Sequence, residues 1–157
     1  MLRIVTQINT TVVNQKVGWN IHANHMGGYA WRLCRIPKEG ISGLTEECFQ
    51  NGHLSFNGAR WLRTENEFYS HPKGGWTKEK RPLSSRQGTW PKGSQWRKNP
   101  YFDSSNQLNG ASKYRGQIKE FVKVPKNLPA GEYALSLRWD CEGAGQIWQG
   151  CSTVKLV

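Results

Sequence analysis

Hydrophobic and polar residues alternate along several short segments of the chain. The alternation is clearest over residues 131–141, where every second side chain is apolar. The apolar members are Tyr133, Leu135, Leu137, Trp139 and Cys141. An early segment follows the same pattern through Val17, Trp19, Ile21 and Ala23. A period of two is typical of a strand with one buried face, so both segments are predicted to be β-strands.

The same kind of pattern predicts further strands at residues 29–36, 55–63, 118–124 and 152–157, the first of them after a turn at Gly27 and Gly28. No stretch of helical length shows a 3.6-residue repeat. The 157 residues suit a single domain with one core. We therefore predict one all-β domain over residues 1–157, an immunoglobulin-like or fibronectin-like antiparallel β-sandwich with long loops.

The strand pattern gives way to Gly, Pro, Ser, Asn, Lys and Trp over residues 65–112, a connection far longer than is usual inside a domain. Trp76, Trp90 and Trp96 lie in this loop among Lys and Arg residues. Such a mixture suits stacking on sugar rings, and it makes these three residues candidates for substrate binding. The alternative is that the indoles pin the loop to the sandwich, and the sequence favours neither.

The formal net charge of +11 predicts attraction to anions, whether nucleic acid, acidic glycans or an anionic membrane. The Lys and Arg residues are scattered, and no zinc finger, basic helix or aromatic RNA-binding motif is present, so nucleic acid is not the expected partner. No segment is apolar over a length that would cross a bilayer. The charge alone does not choose among the remaining partners, but it would favour acidic glycans or a protein with an acidic face.

The four Cys residues can pair in three ways. Their positions favour two local bridges, Cys34 with Cys48 and Cys141 with Cys151. Two bridges imply an oxidising compartment, so we expect an extracellular or cell-surface protein, although the first residues lack the pattern of a signal peptide. The alternative is four reduced thiols in the core of a cytosolic protein, since no Cys-x-x-Cys or Cys/His spacing indicates zinc.

Several segments carry a more specific pattern, and they follow one another in order over most of the chain. They are residues 23–34, 47–49, 88–96, 124–133, 138–142 and 146–151. Together they resemble the lytic polysaccharide monooxygenase superfamily. The resemblance implies a sandwich that presents a flat copper site to cellulose, chitin or pectin and cleaves glycosidic bonds oxidatively. His25 matches the internal copper-ligating histidine of that family.

The resemblance also assigns two residues near the C-terminus to the catalytic site. Gln146 matches a glutamine that hydrogen-bonds the bound oxygen species, and Trp148 stands where the family often has Tyr or Phe. In this family copper is held by the amino group and imidazole of an N-terminal histidine together with the internal imidazole, because nitrogen ligands suit copper. The sequence begins with Met1 and has no histidine before His22. Only His25 therefore represents the copper ligands.

Two functions remain open, and the sequence does not decide whether the chain is an enzyme. In the first, the sequence lacks an N-terminal segment of a longer protein, and it binds polysaccharide and cleaves it oxidatively when an N-terminal histidine is supplied. In the second, a shortened relative keeps the sandwich without the copper centre. It then acts as a non-catalytic glycan-binding module or as a structural module that assembles with itself or with an acidic protein.

Overall fold

The computed structural model describes residues 7–8, 14–21, 25, 27–64, 82–83, 89, 91–99, 116–142 and 145–157. In these residues the chain forms nine strands, one 3-10 turn (Ile41–Gly43) and one helix, α1 (Glu46–Asn51). The strands are β1 (Gln7–Ile8), β2 (Asn14–Ile21), β3 (Gly28–Arg35), β4 (Ser55–Thr64), β5 (Pro82–Leu83), β6 (Arg97–Lys98), β7 (Gly116–Lys123), β8 (Gly131–Asp140) and β9 (Ile147–Leu156).

The strands form two sheets. The five-stranded sheet has the order β1-β9-β8-β3-β6, and the four-stranded sheet has the order β2-β7-β4-β5. Neighbouring strands are antiparallel except β1 and β9, which pair in parallel. The predicted all-β class and antiparallel sandwich are confirmed. The last strand is longer than predicted, because its pairing with β8 starts at Ile147 rather than near residue 152.

The core lies between the sheets and follows the predicted alternation. The buried apolar residues of β2, β3 and β8 that fill it are Val17, Trp19, Tyr29, Trp31, Leu33, Tyr133, Leu135, Leu137 and Trp139. Cys141 is partly buried and packs against this core. Ile118, Val122 and Val124 contribute from β7 and the residue after it. Each strand thus turns every second side chain inward, as a period of two requires.

The outer face of the five-stranded sheet, which is turned away from the four-stranded sheet, is partly covered. Phe49 of α1 packs on Cys34 and Ala134, and the Cys34–Cys48 disulfide ties the helix to β3 with a Cα–Cα distance of 5.5 Å. This predicted bridge is confirmed. Thr45 starts the helix, since its hydroxyl accepts a hydrogen bond from the Cys48 N–H at 3.2 Å. Ala134 is therefore buried, although the alternation placed it on the solvent side.

The predicted bridge between Cys141 and Cys151 is wrong, because both thiols are free in the structure. The two residues are ten apart in sequence, but the register of β8 and β9 separates them. Cys151 is opposite Ser136, five positions before Cys141. Five positions along a strand span roughly 17 Å, whereas a disulfide needs its two Cα atoms within about 7 Å.

A buried carboxylate joins the two sheets. Glu120 on β7 has no exposed surface, and its carboxylate accepts hydrogen bonds from three donors of the opposite sheet. These are the Tyr29 hydroxyl at 3.0 Å, the Trp31 indole N–H at 2.8 Å and the Arg97 guanidinium at 2.8 Å. Arg97 also donates to the carbonyl oxygen of Gly58 at 3.0 Å and lies over the Phe56 ring. The charge of Glu120 is thereby compensated inside the core.

Replacing Glu120 with Ala should lower the free energy of unfolding by about 3–5 kcal/mol, because Arg97 would remain buried without its counter-charge. Urea denaturation followed by Trp fluorescence measures this loss. Glu132→Ala is the matched control, since Glu132 is an exposed carboxylate on β8, and its change should stay within about 0.5 kcal/mol. Equal stabilities of the two variants would contradict the role assigned to Glu120.

Alkylation of the denatured, unreduced protein should modify two Cys residues, Cys141 and Cys151, and alkylation after reduction should modify all four. Mass spectrometry of peptides identifies the sites. Reduction should also lower the free energy of unfolding by about 3 kcal/mol, since one bridge closes a loop with a sequence separation of 14. A protein in which Cys141 and Cys151 resist alkylation until reduced would restore the second predicted bridge.

Candidate functional site

His25 lies at the end of the five-stranded sheet where β3 and β9 begin and β8 ends. Two residues later, Gly27 has a φ of +82°, in the region that favours glycine, and a Cβ atom there would overlap the carbonyl oxygen of Asp140. The Gly27 carbonyl accepts a hydrogen bond from the Asn99 N–H at 2.8 Å. Glycine therefore lets the segment that carries His25 pass directly against the end of β8.

The imidazole of His25 extends a row of aromatic rings that starts in the core. It stacks on Trp139 with a centroid distance of 6.0 Å and an interplanar angle of 24°. Trp139 contacts Trp19 at 5.7 Å, and Trp19 contacts Tyr29 at 4.9 Å. His25 is itself partly buried. The ring is thus supported by the sandwich at its end, rather than enclosed in the middle of the core.

Trp148 is opposite Trp139 in the ladder between β8 and β9, but the two side chains differ in exposure. Trp139 is 7% exposed, whereas Trp148 is 53% exposed. Burial raises the pKa of the Cys141 thiol, the nearby indole N–H of Trp148 lowers it, and the nearby carboxylate of Asp140 raises it further. Cys141 therefore stays a thiol at neutral pH.

The structure brings several of the predicted site residues to this end of the sheet. Gln146 is exposed just before β9, and its backbone carbonyl oxygen accepts a hydrogen bond from the Cys141 backbone N–H at 3.0 Å. His25 and Trp148 lie at the same end, and so does Trp96, which directly precedes β6. Trp76 and Trp90 are outside the described residues.

Trp96 faces the other side of the sheet from Trp148. Its neighbour Arg97 points inward to Glu120, so Trp96 points to the outer face, where it contacts His53 at 6.0 Å and Arg138 at 5.9 Å. These contacts match the alternative in which the indole pins the loop to the sandwich. The residue is nonetheless only half-buried, and it also lines an open cleft.

That cleft has a volume of about 280 Å³ and lies between β6 and the end of β8. Its floor is the backbone of Gly27 and Gly28, and its walls are Trp96, Lys98, Asp140, Cys141 and Glu142. Sequence analysis did not identify Lys98, Asp140 or Glu142. The signal that could have found them is the pairing of Gly28 with Lys98 on one side and with Asp140 on the other, which only the fold reveals.

A network of charged side chains beside the cleft orients the carboxylate of Asp140. Arg138 donates to both of its carboxylate oxygens, at 2.7 and 3.2 Å, and also to Glu46 at 2.8 Å. Arg32 donates to the same oxygen of Glu46 at 2.7 Å. Burial raises the pKa of Glu46, but the hydrogen bonds and charges of Arg32 and Arg138 outweigh it, and the net pKa is lowered. Glu46 is therefore ionised at neutral pH.

His53 lies between this network and Trp96, and sequence analysis assigned it no role. Burial lowers the pKa of His53, and the positive charge of Arg32 lowers it further. The imidazole is accordingly neutral at pH 7. It is an uncharged ring that contacts the Trp96 indole in an edge-type arrangement.

His25 is the described residue that the family resemblance assigns to a copper ion. His25 offers one imidazole, a nitrogen ligand that suits copper. In the part of the chain that the structure describes, no group of three or more His, Cys, Asp or Glu residues lies close enough to hold a metal ion. An ion at His25 would therefore have fewer than three ligands of these four types among the described residues.

Within the described ranges, no helix has the length and hydrophobicity that crossing a bilayer requires. A scan against models of known protein families found no match to the chain, and a search of curated proteins found none either. The relationship to lytic polysaccharide monooxygenases therefore stays a prediction from the sequence motifs.

Proposed function

We propose that the chain is a polysaccharide-binding β-sandwich domain whose contact surface includes His25, Gln146 and Trp148. The observation that carries the proposal is the exposure of Trp148, which is 53% exposed at the start of a well-paired strand. A large indole held in water at such a position offers a flat apolar face. Sugar rings present matching apolar C–H faces, so stacking on Trp148 would bury both.

The position of Trp148 in a well-paired strand supports a role of its exposed side chain in binding. The residue belongs to β9, which is paired with β8 over ten residue pairs. A side chain that is already ordered loses little conformational entropy when a ligand binds. The end of the sheet is thus suited to a rigid, extended ligand such as a polysaccharide.

The proposed location is extracellular or at a cell surface. The Cys34–Cys48 disulfide is typical of an oxidising compartment. Structural polysaccharides are found in the same environment. The net charge of +11 would draw the protein towards surfaces that carry acidic glycans.

Oxidative cleavage is the finer form of this proposal, and it rests on the family resemblance. His25 would be one copper ligand, and Gln146 and Trp148 would shape the adjoining pocket. Copper would supply the activation of oxygen or peroxide, and the chain's own residues would position the glycan and limit the entry of water. If copper does not bind, the same surface describes the alternative, a non-catalytic glycan-binding or assembly module.

Trp148→Ala should weaken binding to insoluble cellulose, chitin or pectin by about five- to tenfold, the loss expected for one aromatic stack of roughly 1–1.5 kcal/mol. Depletion of the protein from solution by each polysaccharide measures the affinity. Ile41→Ala is the matched control, because Ile41 is 70% exposed but lies beyond the far end of β3. Unchanged binding of Trp148→Ala, or the same loss in Ile41→Ala, would refute the proposed surface.

Copper titration separates the two forms of the proposal. If His25 is a ligand, His25→Ala should weaken Cu²⁺ binding at least tenfold, equivalent to about 1.4 kcal/mol, whereas His53→Ala should not. Isothermal titration calorimetry provides both constants and the stoichiometry. A tight one-to-one site that depends on His25 supports the oxidative form. Binding that is weak, or equal in both variants, favours the non-catalytic module.

A further inference from the structure

We infer that the cleft between β6 and the end of β8 is a subsite for one neutral, hydroxyl-bearing sugar residue of the glycan. The inference rests on the proposed polysaccharide binding and names a second place of contact. The cleft belongs to the same end of the five-stranded sheet as Trp148, but it opens on the outer face. A glycan lying across this end of the sheet can therefore contact both.

The register of the strands creates the opening. Gly28 is paired with Lys98 of β6 on one side and with Asp140 of β8 on the other, so the three residues form one row on the same face. Gly28 has no side chain, and the two flanking strands are roughly 10 Å apart. Lys98 and Asp140, which carry opposite charges, thus lie on either side of the space above Gly28. Ile147, opposite Asp140 on β9, continues the row with an exposed apolar side chain.

The walls combine the groups that a sugar residue needs. Lys98 can donate hydrogen bonds, the carboxylates of Asp140 and Glu142 can accept them, and Trp96 offers an apolar surface. A sugar hydroxyl both donates and accepts, so neighbouring hydroxyls can satisfy an ammonium and a carboxylate at once. Hydrogen bonds that involve a charged partner are stronger than neutral ones. The cleft volume of about 280 Å³ is small, which suits a single ring rather than a longer segment.

The charge of the lining gives no preference for anionic ligands. The residues that line the cleft include two with carboxylates, Asp140 and Glu142, and one with an ammonium group, Lys98. Arg138 holds Asp140 from the side, at 2.7 and 3.2 Å, and balances its charge without lining the cleft. A phosphate or a uronate would be attracted by Lys98 but repelled by Glu142, so it would gain no net attraction from the lining. A neutral sugar meets no such penalty.

The cleft is also built on fixed parts of the fold. Arg97 is held inside by Glu120, and this directs its neighbours Trp96 and Lys98 to the outer face. Gly27 cannot carry a Cβ atom without meeting the carbonyl oxygen of Asp140. The backbone of the cleft and the Asp140 carboxylate, which Arg138 holds, are therefore positioned before any ligand arrives, and this reduces the entropy that binding costs.

The test uses the full chain and soluble oligosaccharides, cellohexaose and chitohexaose as neutral probes and hexagalacturonate as the anionic one. Lys98→Ala and Glu142→Gln should each weaken binding of at least one neutral probe by about tenfold, since each removes a hydrogen bond to a charged group. Glu132→Gln is the matched control, because it changes an exposed carboxylate at the far end of β8. Isothermal titration calorimetry gives the affinities, and circular dichroism confirms that each variant is folded.

Failure of the subsite and failure of the proposed function look different. If Trp148→Ala weakens binding while Lys98→Ala and Glu142→Gln do not, the subsite is wrong and the glycan-binding proposal stands. If hexagalacturonate binds best, and Glu142→Gln strengthens it, the ligand class is wrong. If no glycan binds the unaltered chain, both proposals are overturned.

Discussion

The buried carboxylate of Glu120 is the interaction on which the arrangement of the two sheets depends. A carboxylate inside a core is costly unless hydrogen bonds and an opposite charge compensate it, and here all three donors come from the opposite sheet. Tyr29 and Trp31 determine which side of β3 points into the core, and Arg97 does the same for β6. Because Arg97 must point inward, the residues on either side of it must point outward. The outer cleft is thus a consequence of a contact in the core.

The end of β8 contributes to both proposed surfaces, because its successive side chains point to opposite faces of the sheet. Trp139 points inward and supports the ring of His25, and Asp140, the next residue, points outward and borders the cleft. The segment that carries His25 reaches this end only because Gly27 leaves room for the Asp140 carbonyl oxygen. A displacement of β8 along its neighbours by one residue would exchange these two faces. The proposed stacking surface and the proposed subsite therefore depend on one register.

Local patterns predicted the fold because a period of two is a property of each strand alone, as β2 and β8 illustrate. They could not predict which solvent-side residues a later segment covers, and Ala134 is buried under α1 for that reason. The six-residue helix is too short to show a repeat of its own. The disulfide predicted between Cys141 and Cys151 is wrong for a similar reason, because it depends on how two strands pair. Closeness in sequence does not give the register of that pairing. Glu120 did leave a signal, a charged residue between Ile118 and Val122 at a position where the alternation expects an apolar one.

The net charge and the cleft act over different ranges. The +11 is distributed over the chain and acts on a charged surface from a distance, but salt screens such attraction beyond about 8–10 Å. Inside the cleft the immediate neighbours decide, and there the charges of Lys98, Glu142 and the paired Asp140 nearly balance. A basic protein can in this way be drawn to a matrix that contains acidic glycans and still recognise a neutral sugar within it. Attraction and recognition are then carried by separate residues, and a change in one need not alter the other.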